Sequence, residues 1–332
     1  MYALHVCYNG RMNNSCTRRA LLSSAAVASA AALLPAAEAL RLGALPVAAQ
    51  ASTPPASFTF VHITDPHIQP ELGAARGVAK CFDAIRALPH KPAFALVGGD
   101  LVMDAGKVGH ARAEEVYALW RRAGEQLGLP LFYSVGNHDL YGLDQGGKSL
   151  PADPDFGKAI WKRHVGAAST YSAFEHGGWH FITLDSVGVT PDGQWQGLVD
   201  PAQLTWLDHT LRSLPAAKPI VVLTHMPLFT LYPVIKNGPL AAPAPYLVVT
   251  NSDAVRETFA GRAVKAVLQG HTHIVEDLEY RGTRYISGGA VCGNWWKGPQ
   301  LGVHPEGFGL VTVRGMDLDY RYVPYGWHAV SA

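Results

Sequence analysis

The sequence predicts an α/β sandwich of two mixed sheets with helices on the outside. Two observations carry that expectation. In the first half, short apolar runs alternate with stretches of helical period. In the second half, strand-like runs follow one another with turn residues between them, the pattern of antiparallel pairing. The 34 glycines and 23 prolines suit a loop-rich fold of this class. A chain of 332 residues holds ample core for one large domain or two small ones. No repeat and no internal boundary stands out, so 58–325 reads as a single domain.

The elements follow in order. Residues 58–64 read as a strand. Val78, Phe82, Ile85 and Leu88 fall at helical spacing and predict a helix over 74–88. After a strand at 93–97, Val116, Leu119, Ala123 and Leu127 mark one face of a helix over 110–127. A strand at 131–135 and a helix at 155–164 come next. Two runs, 169–174 and 179–185, flank His176-Gly177-Gly178, a hairpin signal. Pro201 opens a helix to Leu214 with Asp200 as its cap, because proline at the first helical position loses no hydrogen bond. A strand at 220–224 leads to a Pro- and Gly-rich stretch, 233–245, expected as a long surface loop and a lid over a site. A helix at 253–259, with Ser252 as its expected cap, precedes strands at 264–268, 274–280, 284–287, 310–314 and 318–323.

Five of these strands end alike. Each apolar run breaks into a short polar segment: Asp65-Pro66-His67, Gly98-Gly99-Asp100, Gly136-Asn137-His138-Asp139, His225-Met226-Pro227 and Gly270-His271-Thr272-His273. Carboxylate, amide and imidazole at strand ends suit divalent metals. Asp65 and His67 lie two apart, as do His271 and His273, so each pair shares a face of an extended chain. The glycines let backbone turn where a Cβ would crowd an ion. Other polar residues at strand positions, His62, His180 and Asp185, read as ordinary core, surface or capping residues.

The ordered set D-x-H, G-D, G-N-H-[DE], H and G-H-x-H resembles the calcineurin-like metallophosphoesterase superfamily over roughly 58–323. The resemblance implies a four-layer α-β-β-α sandwich with the site at the carboxyl ends of the central strands. It implies two divalent or mixed-valence ions (Fe, Mn or Zn). Asp65, His67 and His273 would hold the first and Asn137, His225 and His271 the second. Asp100 would bridge the two, an arrangement that relieves repulsion between cations about 4 Å apart. It implies attack on phosphorus by a metal-bound hydroxide. His138, held in one orientation by Asp139, is the expected catalyst beside the ligands, stabilising the transition state or protonating the leaving oxygen.

Departures from the pattern narrow the branch. The stretch after Asp100 is Leu101-Val102-Met103-Asp104-Ala105 and lacks the arginine that marks protein Ser/Thr phosphatases. Met103 stands where purple acid phosphatases carry tyrosine. What remains is similar to a bacterial branch that includes class III cyclic-nucleotide phosphodiesterases, in Asp185-Ser186, 201–211 and 224–227. Mono- and diesterase both remain open, as does a non-catalytic binding module on the same fold. In the segment GGAVCGNWWKGP, Asn294, Trp295 and Trp296 are candidates for the substrate mouth, with core capping the alternative for the two indoles. Tyr232 and His304 are weaker candidates.

A formal net charge of +1 gives no reason to expect a polyanion-binding surface, so the expected partner is a small phosphate ester. Thr17-Arg18-Arg19 enters an Ala/Leu/Ser run that looks like a twin-arginine export signal, and the only membrane contact expected is through export. Ala37-Glu38-Ala39 and Ala49-Gln50-Ala51 both offer cleavage sites; cleavage after Ala51 is preferred, since 52–57 reads as linker. The expected location is the periplasm or the exterior, with an uncleaved membrane anchor as the alternative. Only Cys81 and Cys292 lie outside this leader, and two separate buried thiols are expected rather than a bridge.

Overall fold

The computed structural model describes residues 57–143, 150–190 and 193–330. The leader and the preceding linker lie outside these residues.

Two sheets form the centre. The first has the order β13-β12-β1-β2-β3 and the second β10-β11-β9-β8-β5-β4. In the first, β1 (Phe58–Ile63), β2 (Ala95–Val97) and β3 (Leu131–Tyr133) run parallel, while β12 (Gly307–Arg314) and β13 (Asp317–Pro324) are antiparallel additions. In the second, β5 (Trp179–Thr183), β8 (Ile220–Leu223), β9 (Val264–Gln269) and β11 (Thr283–Gly288) are parallel. The antiparallel strands β4 (Ser172–His176) and β10 (Val275–Tyr280) close its edges. Both sheets are mixed, as expected.

Period-2 alternation separates the layers. On β1, Phe60 joins an aromatic cluster with Phe94, Phe181 and Trp179, while Val61 and Ile63 join a second cluster with Val78, Phe82 and Ile85 of α1 (Ala74–Arg86). On β8, Val221 and Leu223 face the first cluster, while Ile220 and Val222 belong with Leu207 and Leu211 of α4 (Pro201–Ser213). Each of these two central strands therefore shows one face to the opposite sheet and one to helices, which is a four-layer sandwich. The parallel strands are apolar on both faces for that reason.

Helix α2 (His110–Leu127) has the expected bounds, and Asp200 caps α4 by accepting the Gln203 amide at 2.8 Å. Three local expectations need correction. Helix α3 (Ala159–Val165) starts later than expected, because Gly157 exchanges backbone bonds with Tyr141 and holds the preceding turn. The expected loop 233–245 begins inside a short helix, α5 (Tyr232–Asn237); Pro233 sits in its first turn, where no amide is needed. The sixth helix, α6 (Ser252–Glu257), includes Ser252 rather than being capped by it. Asn251 precedes it, but its side chain is spent on both backbone groups of Val199. Finally, a small two-stranded ribbon, β6 (Val187–Val189) with β7 (Trp195–Gly197), was not expected from the sequence.

Cys81 and Cys292 are separate buried thiols. Among the described residues no helix is long and apolar enough to cross a membrane.

Candidate metal centre

Five parallel strands from two sheets deliver their carboxyl ends to one place, and seven predicted side chains meet there. His67 Nε2 lies 3.4 Å from Asp100 Oδ2 and 3.8 Å from Asp65 Oδ1. His273 Nε2 lies 3.2 Å from His67 Nε2 and 3.3 Å from Asp65 Oδ1. On the other side of Asp100, His225 Nε2 is 3.3 Å from the same Oδ2 and 3.1 Å from Asn137 Oδ1. The His271 ring stands edge-on to that of His225, with centroids 5.1 Å apart. Asp100 is thus common to two groups of side chains placed to hold a metal, one with His67 and His138 and one with His225 and His271.

The backbone is strained at these positions. Among the described residues, ten non-glycines have positive φ, and five of them are Asp65, His67, Asp100, His271 and His273. Each such residue costs about 1–3 kcal/mol, so their concentration here marks a site held by its surroundings. Two glycines make the approach possible. A Cβ on Gly136 would fall 2.1 Å from Asp100 Oδ1, and one on Gly270 would fall 2.1 Å from Thr64 Oγ1.

The donor set fits a cation. His225 Nδ1 donates to Gly98 O at 2.8 Å, and His273 Nδ1 donates to Gly293 O at 2.7 Å. These bonds fix both rings so that the Nε2 lone pairs point inward. There they meet Asp65, Asp100 and Asn137 oxygens, which are acceptors too. Acceptors converging without a donor between them need a positive charge. Without a metal, protons fill that role. Burial opposes charge on His225, yet Asp100 outweighs it and pushes the imidazole up to about 9. Burial alone would raise Asp65, but His273 and His67 hold its carboxyl well below the ordinary range. His67 is pushed down by burial to about 4, which leaves its imidazole neutral at physiological pH.

His138 and Asp139 are arranged differently from the sequence expectation. His138 Nδ1 donates to Met103 O at 2.6 Å, and its backbone amide donates to Asp100 Oδ1 at 2.8 Å. The Asp139 carboxylate instead accepts from Leu101 N and Gly136 N, both at 2.8 Å. Neighbours on a 3-10 turn point apart, so Asp139 does not orient His138 directly. It clasps the loop carrying Asp100 to the loop carrying Asn137. Burial and the nearby charge of Asp100 raise its carboxyl to about 8.

Around the centre, Trp295 lies against the His67 ring at 4.2 Å between centroids, and 5.0 Å from both His138 and His273. With Tyr232, Tyr246 and Lys236 it lines a cavity of about 260 Å³ beside His138. Trp296 belongs to the core instead: it is 1 % exposed, and its Nε1 donates to His67 O at 3.0 Å. Consecutive residues at a tight turn cannot both face the cavity, and Trp296 took the inner place. Asn294 closes a turn onto Gly298 and is not among the cavity's lining residues. His304 is likewise elsewhere, its Nδ1 accepting from Val275 N.

Two contributors escaped sequence reasoning. Trp195, on the unexpected ribbon, separates this cavity from a second one of about 200 Å³ that contains Lys107 and Asp104. Tyr246 O accepts from His271 Nε2 at 2.8 Å. The run Trp195-Gln196-Gly197 is the one local signal that could have marked the ribbon. Nothing local marks Tyr246, whose contribution is a carbonyl.

Comparison with known proteins agrees with this geometry. Residues 58–275 match the calcineurin-like phosphoesterase family. The chain is 27 % identical over 241 residues to the 3′,5′-cyclic adenosine monophosphate phosphodiesterase CpdA of Haemophilus influenzae, covering 70 % of this chain and 76 % of that protein. Among solved structures, a dimetal phosphatase from Danio rerio aligns with a TM-score of 0.56 at 15 % identity, over 82 % of this chain and 100 % of the other. A putative 5′-nucleotidase from Staphylococcus aureus aligns with a TM-score of 0.50 at 14 % identity, over 82 % and 55 %. At such identities the two structures speak for the fold alone. The family match spans most of the folded chain and ends two residues past His273, so it takes in all seven converging side chains. The chain belongs to the calcineurin-like phosphoesterase family and is a metal-dependent phosphoric ester hydrolase.

Proposed function

We propose that the protein is an exported phosphoesterase that works with two metal ions, Fe, Mn or Zn, held on either side of Asp100. The observation that carries this reading is the sharing of one buried carboxylate by two groups of ligands. Asp65, His67 and His273 would hold one ion, and Asn137, His225 and His271 the other. When bound, such ions acidify water and neutralise charge gathering on the phosphoryl oxygens.

The chain's own residues supply the rest. His138 keeps Nδ1 on Met103 O, which leaves Nε2 to hold a proton for the departing oxygen. Asp139 keeps the two ligand loops at a fixed separation. Trp295, Tyr232 and Tyr246 offer flat faces to the leaving group, and Trp295 shields the His67 side from water. The substrate is a small phosphate ester. The twin-arginine motif supports export, which would place activity in the periplasm or outside the cell.

A second reading, cyclic-nucleotide phosphodiesterase, is favoured by the likeness to CpdA, a cyclic adenosine monophosphate phosphodiesterase. A panel of mono- and diesters, each assayed with Mn, Fe and Zn, separates the readings. Hydrolysis of a chromogenic ester that a chelator abolishes is expected. Inertness towards every ester at full metal occupancy would instead indicate a binding module.

A further inference from the structure

A third cavity, of about 320 Å³, lies beside the start of β9, one strand length from the metal centre at its other end. Four cations line it: Arg256 at the end of α6, Arg262, Lys265 on β9, and Arg281 in the turn between β10 and β11. No carboxylate lines it. Glu257 and Glu279 are close in sequence but do not line it, and none of the four cations makes an ion pair among the described residues. By contrast Arg86, Arg112, Arg163, Arg212 and Arg284 each sit on a carboxylate.

The clustering is not a by-product of a basic protein, because the net charge is only +1. Three of the four side chains are also held in place. Arg256 Nη1 donates to Leu228 O at 2.8 Å, and Arg262 Nη1 donates to Leu214 O at 3.1 Å. The Arg281 guanidinium lies over the Tyr280 ring, 5.2 Å from its centroid. Backbone carbonyls and a ring face hold these groups in place without neutralising them. Like charges gathered around one concave surface repel unless an anion lies among them, and low-dielectric walls strengthen the field there. Guanidinium forks match the oxygens of a tetrahedral dianion. Buried rings of Phe259 and Tyr285 form the apolar part of the wall.

We propose that this cavity binds a small phosphorylated molecule, its phosphate among Arg256, Arg262, Lys265 and Arg281 and a flat substituent against Phe259 and Tyr285. The site is separate from the metal centre and does not depend on the function proposed for it.

The test uses phenylphosphonate, whose P–C bond resists hydrolysis, with the metal-loaded full chain. Hydrogen exchange is expected to slow over 256–265 and 280–285 at about 1 mM ligand. The double variant Lys265→Ala/Arg281→Ala, which spares both backbone-bonded arginines, should weaken that binding about tenfold or more. Lys265→Arg/Arg281→Lys, which keeps the charge, should retain it. Three results overturn the proposal: no protection at about 10 mM, protection confined to the metal-binding loops, or equal affinity in the alanine double variant.

Discussion

The same strands begin and end in opposite environments. Near their starts the two sheets meet through rings: Phe60 stacks on Phe94 at 5.0 Å, Phe94 meets Phe181 edge-on at 5.1 Å, and Phe132 stacks on Phe174 at 3.5 Å. A few residues further along, the same sandwich interior holds Asp65, Asp100, His67, His225 and His273, all buried. The aromatic end stabilises itself, because rings removed from water need no counterpart beyond one another. The polar end carries strained backbone and facing acceptors, and settles only with protons or cations among them. One end makes the fold; the other uses stability that the first supplies.

That division can be broken by substitution. The largest effect is expected at the polar end. Asp100→Ala removes the shared ligand and should lower turnover of a chromogenic ester at least about a thousandfold, some 4 kcal/mol. Near-native circular dichroism should persist; a variant that unfolds would show that the polar end carries the fold after all. Next comes Phe94→Ala at the aromatic end, expected to cost about 3–4 kcal/mol in urea unfolding. The folded fraction should keep its kcat/KM, and a parallel fall in activity would mean that the two ends are coupled. His138→Gln should lower kcat about a hundredfold with little change in KM and metal content, as metal analysis of the variant would check. Loss of metal would assign His138 to the ligand set instead.

The smallest effect lies outside both regions. His110 donates to Asp155 at 2.8 Å in a surface network with Arg163 and Glu114, and that bond raises its pKa above the usual 6.5. A raised histidine stabilises most below its unfolded pKa and loses the contribution as pH climbs through its folded value. The stability gap between the wild type and His110→Gln should therefore be under about 1 kcal/mol below the unfolded pKa of about 6.5 and shrink as pH rises above it. Activity should not change.

Local pattern carried much of this molecule. Alternation and helical spacing placed α2 and most strands, because burial on two faces leaves a mark on every second or fourth residue. The ligand candidates were legible for another reason: a metal demands particular atoms, and strand ends with Gly, Asp, Asn and His have few other uses. Where a residue's role depended on its neighbours in space, pattern was silent. Trp295 and Trp296 are identical in type and adjacent, yet one roofs the centre and the other holds His67 from below. Asp139 follows His138 but serves Leu101 and Gly136. Ser252 resembles a cap and lies within its helix.

By itself, then, the chain determined its layers, the residue types at five strand ends, and through them its family. These rest on short-range order and on chemistry that a side chain carries wherever it goes. Only the tertiary structure decided that Asp100 faces two groups of candidate ligands at once, that Tyr246 lends a carbonyl to His271, and that four cations without an ion pair among the described residues share one cavity at the other end of β9. Those facts are distances between residues remote in sequence, and packing of the two sheets sets them.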